Sequence, residues 1–154
     1  MSTAIGLEES VSTDGEIRLQ SVGPGFEMPV FVIFTSMNRT RKALEKASQL
    51  GKPFKRGIEI LVMQIVPFFL PLDEPPVPFE FIVRRLEEMA DDVTERTRIS
   101  AYLCRDLLES LKRILNRNCP VVMGIRKSWW PTRDMRLSRK LRHAGYNVIL
   151  VETE

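Results

Sequence analysis

Few residues of this sequence are of types that could carry acid–base or nucleophilic chemistry. The chain has one histidine, His143, and two cysteines, Cys104 and Cys119. His143 has no cysteine or carboxylate nearby at the spacing of a metal site, and no base is suggested beside either cysteine. We therefore interpret all three as structural residues. The sequence predicts no catalytic residues and no metal, and favours a protein that binds rather than one that catalyses.

The strongest chemical feature is a basic segment that contains two adjacent tryptophans. Between Val121 and Ala144 the only acidic residue is Asp134, a charge balance that suits a phosphate-bearing partner. Two adjacent side chains as large as Trp129 and Trp130 cannot both enter one core, so a lid over the next helix and a contact with a ligand or partner both stay open. The basic residues are Arg126, Lys127, Arg133, Arg136, Arg139, Lys140 and Arg142.

Length and composition are those of one globular domain. The chain has 154 residues, of which 44% are hydrophobic and 28% are charged, so neither disorder nor a fibrous class is indicated. The longest apolar run, residues 58–72, is broken by Glu59, Gln64, Pro67 and Pro71, and no apolar signal core begins the chain. We expect a cytoplasmic protein with reduced thiols and no contact with a membrane.

Residues 1–28 are polar and lack a sustained hydrophobic period. They carry five acidic residues and one basic residue. This composition predicts a flexible acidic tail, with a short extra strand over residues 17–22 as the alternative.

From residue 29 onward, apolar runs alternate with helical periods. Asn38, Asp106 and Pro131-Thr132 are the predicted starts of the first, third and fourth helices. Such alternation implies right-handed crossovers and a parallel sheet with helices on both faces. The third strand begins with polar residues, a feature that favours a position at the edge of the sheet. The five prolines of residues 67–78 predict an irregular surface loop. The predicted strands are Val30–Phe34, Ile58–Val66, Arg98–Leu103, Pro120–Ile125 and Asn147–Val151.

The order of these elements, together with the runs "CPVVMGIRK" and "HAGYNVILVET", resembles the universal stress protein domain over residues 29–154. The resemblance implies a three-layer, Rossmann-like α/β domain with a five-stranded parallel sheet in the order 3-2-1-4-5. It also implies a ligand crevice between the carboxyl ends of the first and fourth strands. Members of the family commonly pair through the fifth strand. Because residues 147–151 are strongly apolar, we expect a homodimer through that strand.

The family's phosphate-binding run begins with a glycine, continues with a second glycine three residues on, and ends with a glycine before a serine or threonine. Here Gly124 matches the first glycine, Lys127 stands at the second, and no glycine follows until Gly145. The first strand ends in Thr35-Ser36, without the acidic residue that many members place there. These departures predict the loss of the usual ATP mode and leave a weak anion site. Its expected residues are Thr35, Ser36, Gly124, Arg126, Lys127 and Thr132.

The resemblance thus predicts a non-enzymatic binding or regulatory module of the stress response, which requires no cofactor and has an unknown protein or small-molecule partner. One alternative is an adenine-nucleotide-binding protein with a modified phosphate site, in which Arg126 and Lys127 replace the lost glycine contacts. A second alternative is a basic interaction platform for nucleic acid on the last helix. The sequence does not favour the second, because no recognised nucleic-acid-binding module accompanies the charge.

Overall fold

The computed structural model describes residues 10–12, 16–22, 25–66, 79–93 and 95–153. Within these ranges the chain forms one seven-stranded sheet with helices on both faces. The strands are β1 (Ser10–Ser12), β2 (Glu16–Val22), β3 (Val30–Ile33), β4 (Ile58–Ile65), β5 (Thr97–Cys104), β6 (Val121–Arg126) and β7 (Val148–Thr153). The helices are α1 (Met37–Gly51), α2 (Phe79–Ala90), α3 (Leu107–Ile114) and α4 (Arg133–His143), with a 3-10 turn at Lys52–Phe54.

The five predicted strands form the parallel part of the sheet in the order β5-β4-β3-β6-β7. Counted from the first predicted strand, this is the order 3-2-1-4-5, so the predicted Rossmann-like α/β fold is confirmed. Consecutive parallel strands are joined through helices, as the crossover rule requires. The chain reverses its direction of winding between β3 and β6, so the carboxyl ends of those strands mark the place where folds of this class usually bind ligands.

The amino-terminal segment differs from the expected tail. Residues 16–22 form β2, which pairs antiparallel with β5 and shifts register between Arg18 and Gln20, and β1 then pairs with β2. The extra strand that the sequence offered as the alternative is therefore present. Consequently β5 is the edge of the parallel sheet only, not of the whole sheet as its polar start suggested. The apolar end of β5 explains the difference, since Ile99 through Cys104 are buried.

Two hydrophobic cores lie on opposite faces of the sheet, because successive side chains of a strand point to opposite faces. In β3, Val30 and Val32 belong to the core under α1 and α2, while Phe31 and Ile33 belong to the core under α3 and α4. The helices contribute residues at helical spacing. Ala43, Leu44, Ala47, Val83, Leu86 and Met89 cover the first face, and Leu111, Leu115, Leu137 and Leu141 cover the second.

Polar side chains fix the starts of three helices. Asp106 accepts a hydrogen bond from the Glu109 amide at 3.2 Å, and Thr132 accepts one from the Met135 amide at 3.2 Å, so both predicted starts are confirmed. The predicted cap at Asn38 is wrong, because Ser36 caps α1 two residues earlier. Gly145 follows α4 with a φ of 99°, a conformation that glycine adopts without strain.

The irregular loop predicted for residues 67–78 lies outside the described residues. In the part of the chain that the structure does describe, no helix combines the length and the apolar character needed to cross a bilayer.

Candidate functional site

A crevice opens at the carboxyl ends of β3 and β4, between the amino-terminal ends of α3 and α4. Its volume is about 370 Å³. Six of the ten residues that line it are apolar, and the other four are Thr35, Gln64, Arg133 and Asp134. Pockets at this place in doubly wound sheets are usual ligand sites, because several loops converge there on one edge. The apolar lining consists of Ile33, Phe34, Met63, Ile65, Leu107 and Leu137.

The turn between β3 and α1 is held by hydrogen bonds within the protein. The Thr35 hydroxyl donates to the Gly124 carbonyl at 3.0 Å, and the Thr35 amide donates to the hydroxyl of the buried Thr40 at 3.2 Å. Ser36 Oγ accepts from the Arg39 amide at 3.4 Å and from Arg39 Nε at 3.0 Å. A hydroxyl group can donate one hydrogen bond and accept two. The Thr35 hydroxyl can therefore still accept a hydrogen bond from a ligand, and the Ser36 hydroxyl can still donate one.

An ion pair joins the two helices that begin beside the crevice. Arg39 Nη1 in α1 lies 3.1 Å from Asp134 Oδ2 in α4, and both side chains are a little over a quarter exposed, at 28% and 29%. Asp134 also stands in the first turn of α4, where the helix dipole favours a negative charge. The pair thus places a carboxylate at the mouth of the crevice and ties α1 to α4 across the end of β6.

Gly124 has a packing role against α1. A Cβ atom added at this position would lie 2.2 Å from the Arg39 carbonyl oxygen, so only glycine lets the helix backbone approach the strand this closely. The Cα of Gly124 therefore faces α1, on the face of the sheet opposite α3. Gly124 does not line the crevice described above.

The loop after β6 carries the remaining predicted residues. Arg126 ends the strand and Lys127 extends the ladder through its amide, which donates to the Thr153 carbonyl at 2.9 Å; both residues are exposed. The hydroxyl of Thr132 caps α4. Trp129 and Trp130 are 100% and 81% exposed, so neither covers the next helix as a lid.

The six predicted site residues therefore fall into two groups. Thr35 and Ser36 lie in the turn between β3 and α1, where Thr35 contacts Gly124 of β6, whereas Arg126, Lys127 and Thr132 lie at and after the exposed end of β6. The prediction of an anion site among them stays a prediction.

Sequence reasoning missed the pair of Arg39 and Asp134 and the crevice residues Gln64 and Arg133. The signal for Asp134 was its position as the single acidic residue of a basic run. The rest depend on which residues the fold brings together, and no spacing in the sequence could have revealed them.

The two thiols are buried and unreactive by position. Burial raises the pKa of Cys119 above its ordinary value of 9.0, an effect that nearby Arg56 partly opposes. A buried, protonated thiol is a poor nucleophile. Among the described residues, no group of three His, Cys, Asp or Glu side chains is arranged to hold a metal ion.

A scan of the sequence against protein-family models finds no match, and a search of curated proteins finds no significant relative. The fold and the crevice consequently define an α/β, Rossmann-like domain without assigning it to a family.

Proposed function

We propose that this protein is a non-enzymatic binding module of the universal stress protein type, which acts in the cytoplasm as a homodimer. Its ligand occupies the crevice between β3, β4, α3 and α4, and it does not bind ATP in the way usual for that family. The observation that carries this proposal is the 370 Å³ crevice at the carboxyl ends of β3 and β4, beside the point between β3 and β6 where the winding of the sheet reverses.

The chemistry of the lining favours a compact ligand. Binding sites are mostly apolar and use a few polar groups to orient the ligand, and sizes of roughly 300–1,000 Å³ are common. Here the apolar walls suit a small apolar body, while Arg133 suits a single anionic or hydrogen-bond-accepting group at the mouth. No pair of groups in the crevice is arranged as a general acid and base, which is why binding rather than turnover is proposed.

The same geometry argues against a triphosphate. A phosphate cradle needs backbone amides that a ligand can approach, and the loop from Lys127 to Thr132 contains no glycine. Asp134 would place a carboxylate beside the phosphates, and the Thr132 hydroxyl already bonds the Met135 amide. Loss of these contacts leaves only a weak anion site around the start of α4.

Isothermal titration calorimetry with magnesium ATP and with inorganic phosphate tests the proposal. We expect no submicromolar binding of ATP, together with weak phosphate binding that falls as salt is added and is abolished in Lys127→Glu. Lys46→Glu is a matched control, because it reverses an exposed positive charge on α1, which covers the other face of the sheet. Submicromolar ATP binding that persists in Lys127→Glu would refute the proposal and support the alternative, an adenine-nucleotide-binding protein with a modified phosphate site.

Native mass spectrometry of the protein purified from its own host identifies the ligand and the stoichiometry together. We expect a dimer that carries a bound small molecule. The half-buried Leu107 begins α3 and lines the crevice. Leu107→Trp should displace the molecule by filling that space, and a ligand that stays bound in this variant would place the site elsewhere.

A further inference from the structure

The exposed tryptophans and the cations of α4 form one surface, which shares only Arg133 with the crevice. We propose that this surface binds single-stranded nucleic acid. Two parts compose it. The Trp loop is residues 128–131, and the basic track is Arg133, Arg136, Arg139 and Lys140.

The Trp loop presents two aromatic rings to solvent. Trp129 is 100% exposed and Trp130 is 81% exposed, although a buried tryptophan is among the largest stabilising contributions to a core. The Trp130 amide donates to Ser128 Oγ at 3.3 Å, which fixes the turn of the loop. Exposed aromatic rings beside cations are the parts of a surface on which unpaired bases stack.

The basic track lies on one side of α4. Its four residues are exposed, and at 100° per residue they fall within about a third of the helix circumference, a sector that does not include the buried Leu137 and Leu141. The single carboxylate of this helix does not neutralise the track, because Asp134 pairs with Arg39 of α1 at 3.1 Å. The track therefore keeps its positive charge available for an anionic partner.

A second cavity continues the surface at the far end of the track. It lies between α3 and α4, has a volume of about 590 Å³, and is lined by both apolar and cationic residues. Its lining residues are Leu108, Lys112, Arg139, Lys140, His143 and Ala144. Such a groove suits the alternation of flat bases and charged phosphates along a strand.

The direction of the track separates a nucleic acid strand from a lipid surface. The eleven residues of α4 span roughly 16 Å and carry the chain from the carboxyl end of β6 back to the start of the parallel β7. The cations therefore recede from the Trp loop down the side of the domain. A flat bilayer that contacted both tryptophans would reach only the first cation of the track, whereas a flexible nucleic acid strand can follow the whole track. A duplex could reach the track but offers the rings no unpaired bases.

Fluorescence anisotropy with a labelled single-stranded oligonucleotide of mixed sequence, prepared as DNA and as RNA, tests the inference. We expect binding that weakens steeply between about 50 and about 200 mM salt. Replacing both tryptophans by alanine should weaken binding by roughly 25-fold or more, because each replacement removes the stacking free energy between one ring and one base. The salt dependence should become shallower in the triple variant Arg136→Gln/Arg139→Gln/Lys140→Gln, in which the slope of log affinity against log salt should be less negative by about 2.

A double variant on the opposite face of the sheet provides the matched control. Arg41→Gln/Lys46→Gln removes two exposed cations from α1 and should leave both affinity and salt slope nearly unchanged. All substituted positions are exposed, so circular dichroism should report an intact fold in every variant.

Four results would overturn the inference. They are no binding at micromolar protein in low salt, equal binding of the duplex of the same sequence, unchanged binding after loss of both tryptophans, and a track variant that behaves like the control. Sedimentation with vesicles that contain phosphatidylserine separates the lipid source. Vesicle binding that depends on the tryptophans, with oligonucleotide binding that does not, would assign the surface to a membrane instead.

Discussion

The contact between Gly124 and α1 gives the sharpest prediction about this fold. In Gly124→Ala the new methyl group would lie 2.2 Å from the Arg39 carbonyl oxygen and 2.6 Å from the carbonyl carbon, where ordinary contacts are 3.4–4 Å. Both atoms belong to the backbone of the first turn of α1, so no side-chain rotation can relieve the overlap. The helix must withdraw by roughly 1 Å or more, which a close-packed interior resists.

The cost follows from what that withdrawal breaks. Overpacking of this kind costs about 1–3 kcal/mol. The movement also strains the 3.0 Å hydrogen bond from Thr35 to Gly124 and the 3.1 Å ion pair of Arg39 with Asp134, which adds about 1 kcal/mol. The lower entropy of alanine in the unfolded chain offsets about 0.4–1 kcal/mol. We therefore expect the free energy of unfolding to fall by about 2 kcal/mol and Tm to fall by about 4–8 °C for a domain of this size.

Urea denaturation and thermal unfolding of Gly124→Ala beside Gly51→Ala measure this effect. In the control, the added Cβ lies 3.1 Å from the Arg56 carbonyl oxygen, a contact that a shift of a few tenths of an ångström relieves. Because alanine also favours the helix that ends there, the control should change stability by no more than about 1 kcal/mol. A loss below about 1 kcal/mol in Gly124→Ala would refute the argument that this glycine exists for the close approach of α1.

Three further outcomes are expected. The carbonyls of Asn147 and Thr153 accept hydrogen bonds from β6, so the amide of Glu152, between them in the alternation of the strand, points away from β6. Glu152→Pro should therefore give a monomer in analytical ultracentrifugation, where wild type and Glu152→Ala give a dimer. A wild-type monomer at micromolar concentration would contradict edge pairing. Deletion of residues 1–24 should preserve cooperative unfolding, because every core residue that the structure describes lies from Val30 onward, but it should promote association through the uncovered β5. Loss of the cooperative transition would contradict this. Thiol titration of the native protein should be much slower than titration in denaturant. The free energy of unfolding should fall as pH rises above 9.0, because the unfolded chain loses the Cys119 proton at a lower pH than the folded protein, whose pKa for this thiol is raised. Rapid labelling at neutral pH would show that this thiol is accessible.

One outer edge of the sheet is already partly protected. The Arg142 side chain donates to the Val148 carbonyl from Nε at 3.1 Å and from Nη2 at 2.8 Å. This carbonyl points away from β6, so Arg142 covers the start of β7 and leaves the groups near Leu150 and Glu152 for pairing. The proposed dimer contact is thereby confined to the second half of the strand.

Local patterns in the sequence were enough to predict the parallel sheet. Buried strands of such a sheet have continuous apolar sequences. Asp106 and Thr132 have side chains that can cap a helix, and they therefore indicate where helices start. The strand order came from the resemblance to a family and not from periodicity. The predicted cap at Asn38 failed because Ser36, two residues earlier, also has a capping side chain and accepts the hydrogen bond of the Arg39 amide.

The sequence by itself determined the five parallel strands, the four helices and the basic charge of α4, because each depends on neighbours along the chain. Tertiary structure decided everything that depends on distant pairs. It placed β2 beside β5, paired Arg39 with Asp134 across 95 residues, and turned Gly124 toward a helix instead of a ligand. It also left Trp129 and Trp130 in solvent, where the sequence had left open whether they cover the protein or meet a partner. Such contacts arise only when the whole sheet has formed, since separations this long leave no local period to detect.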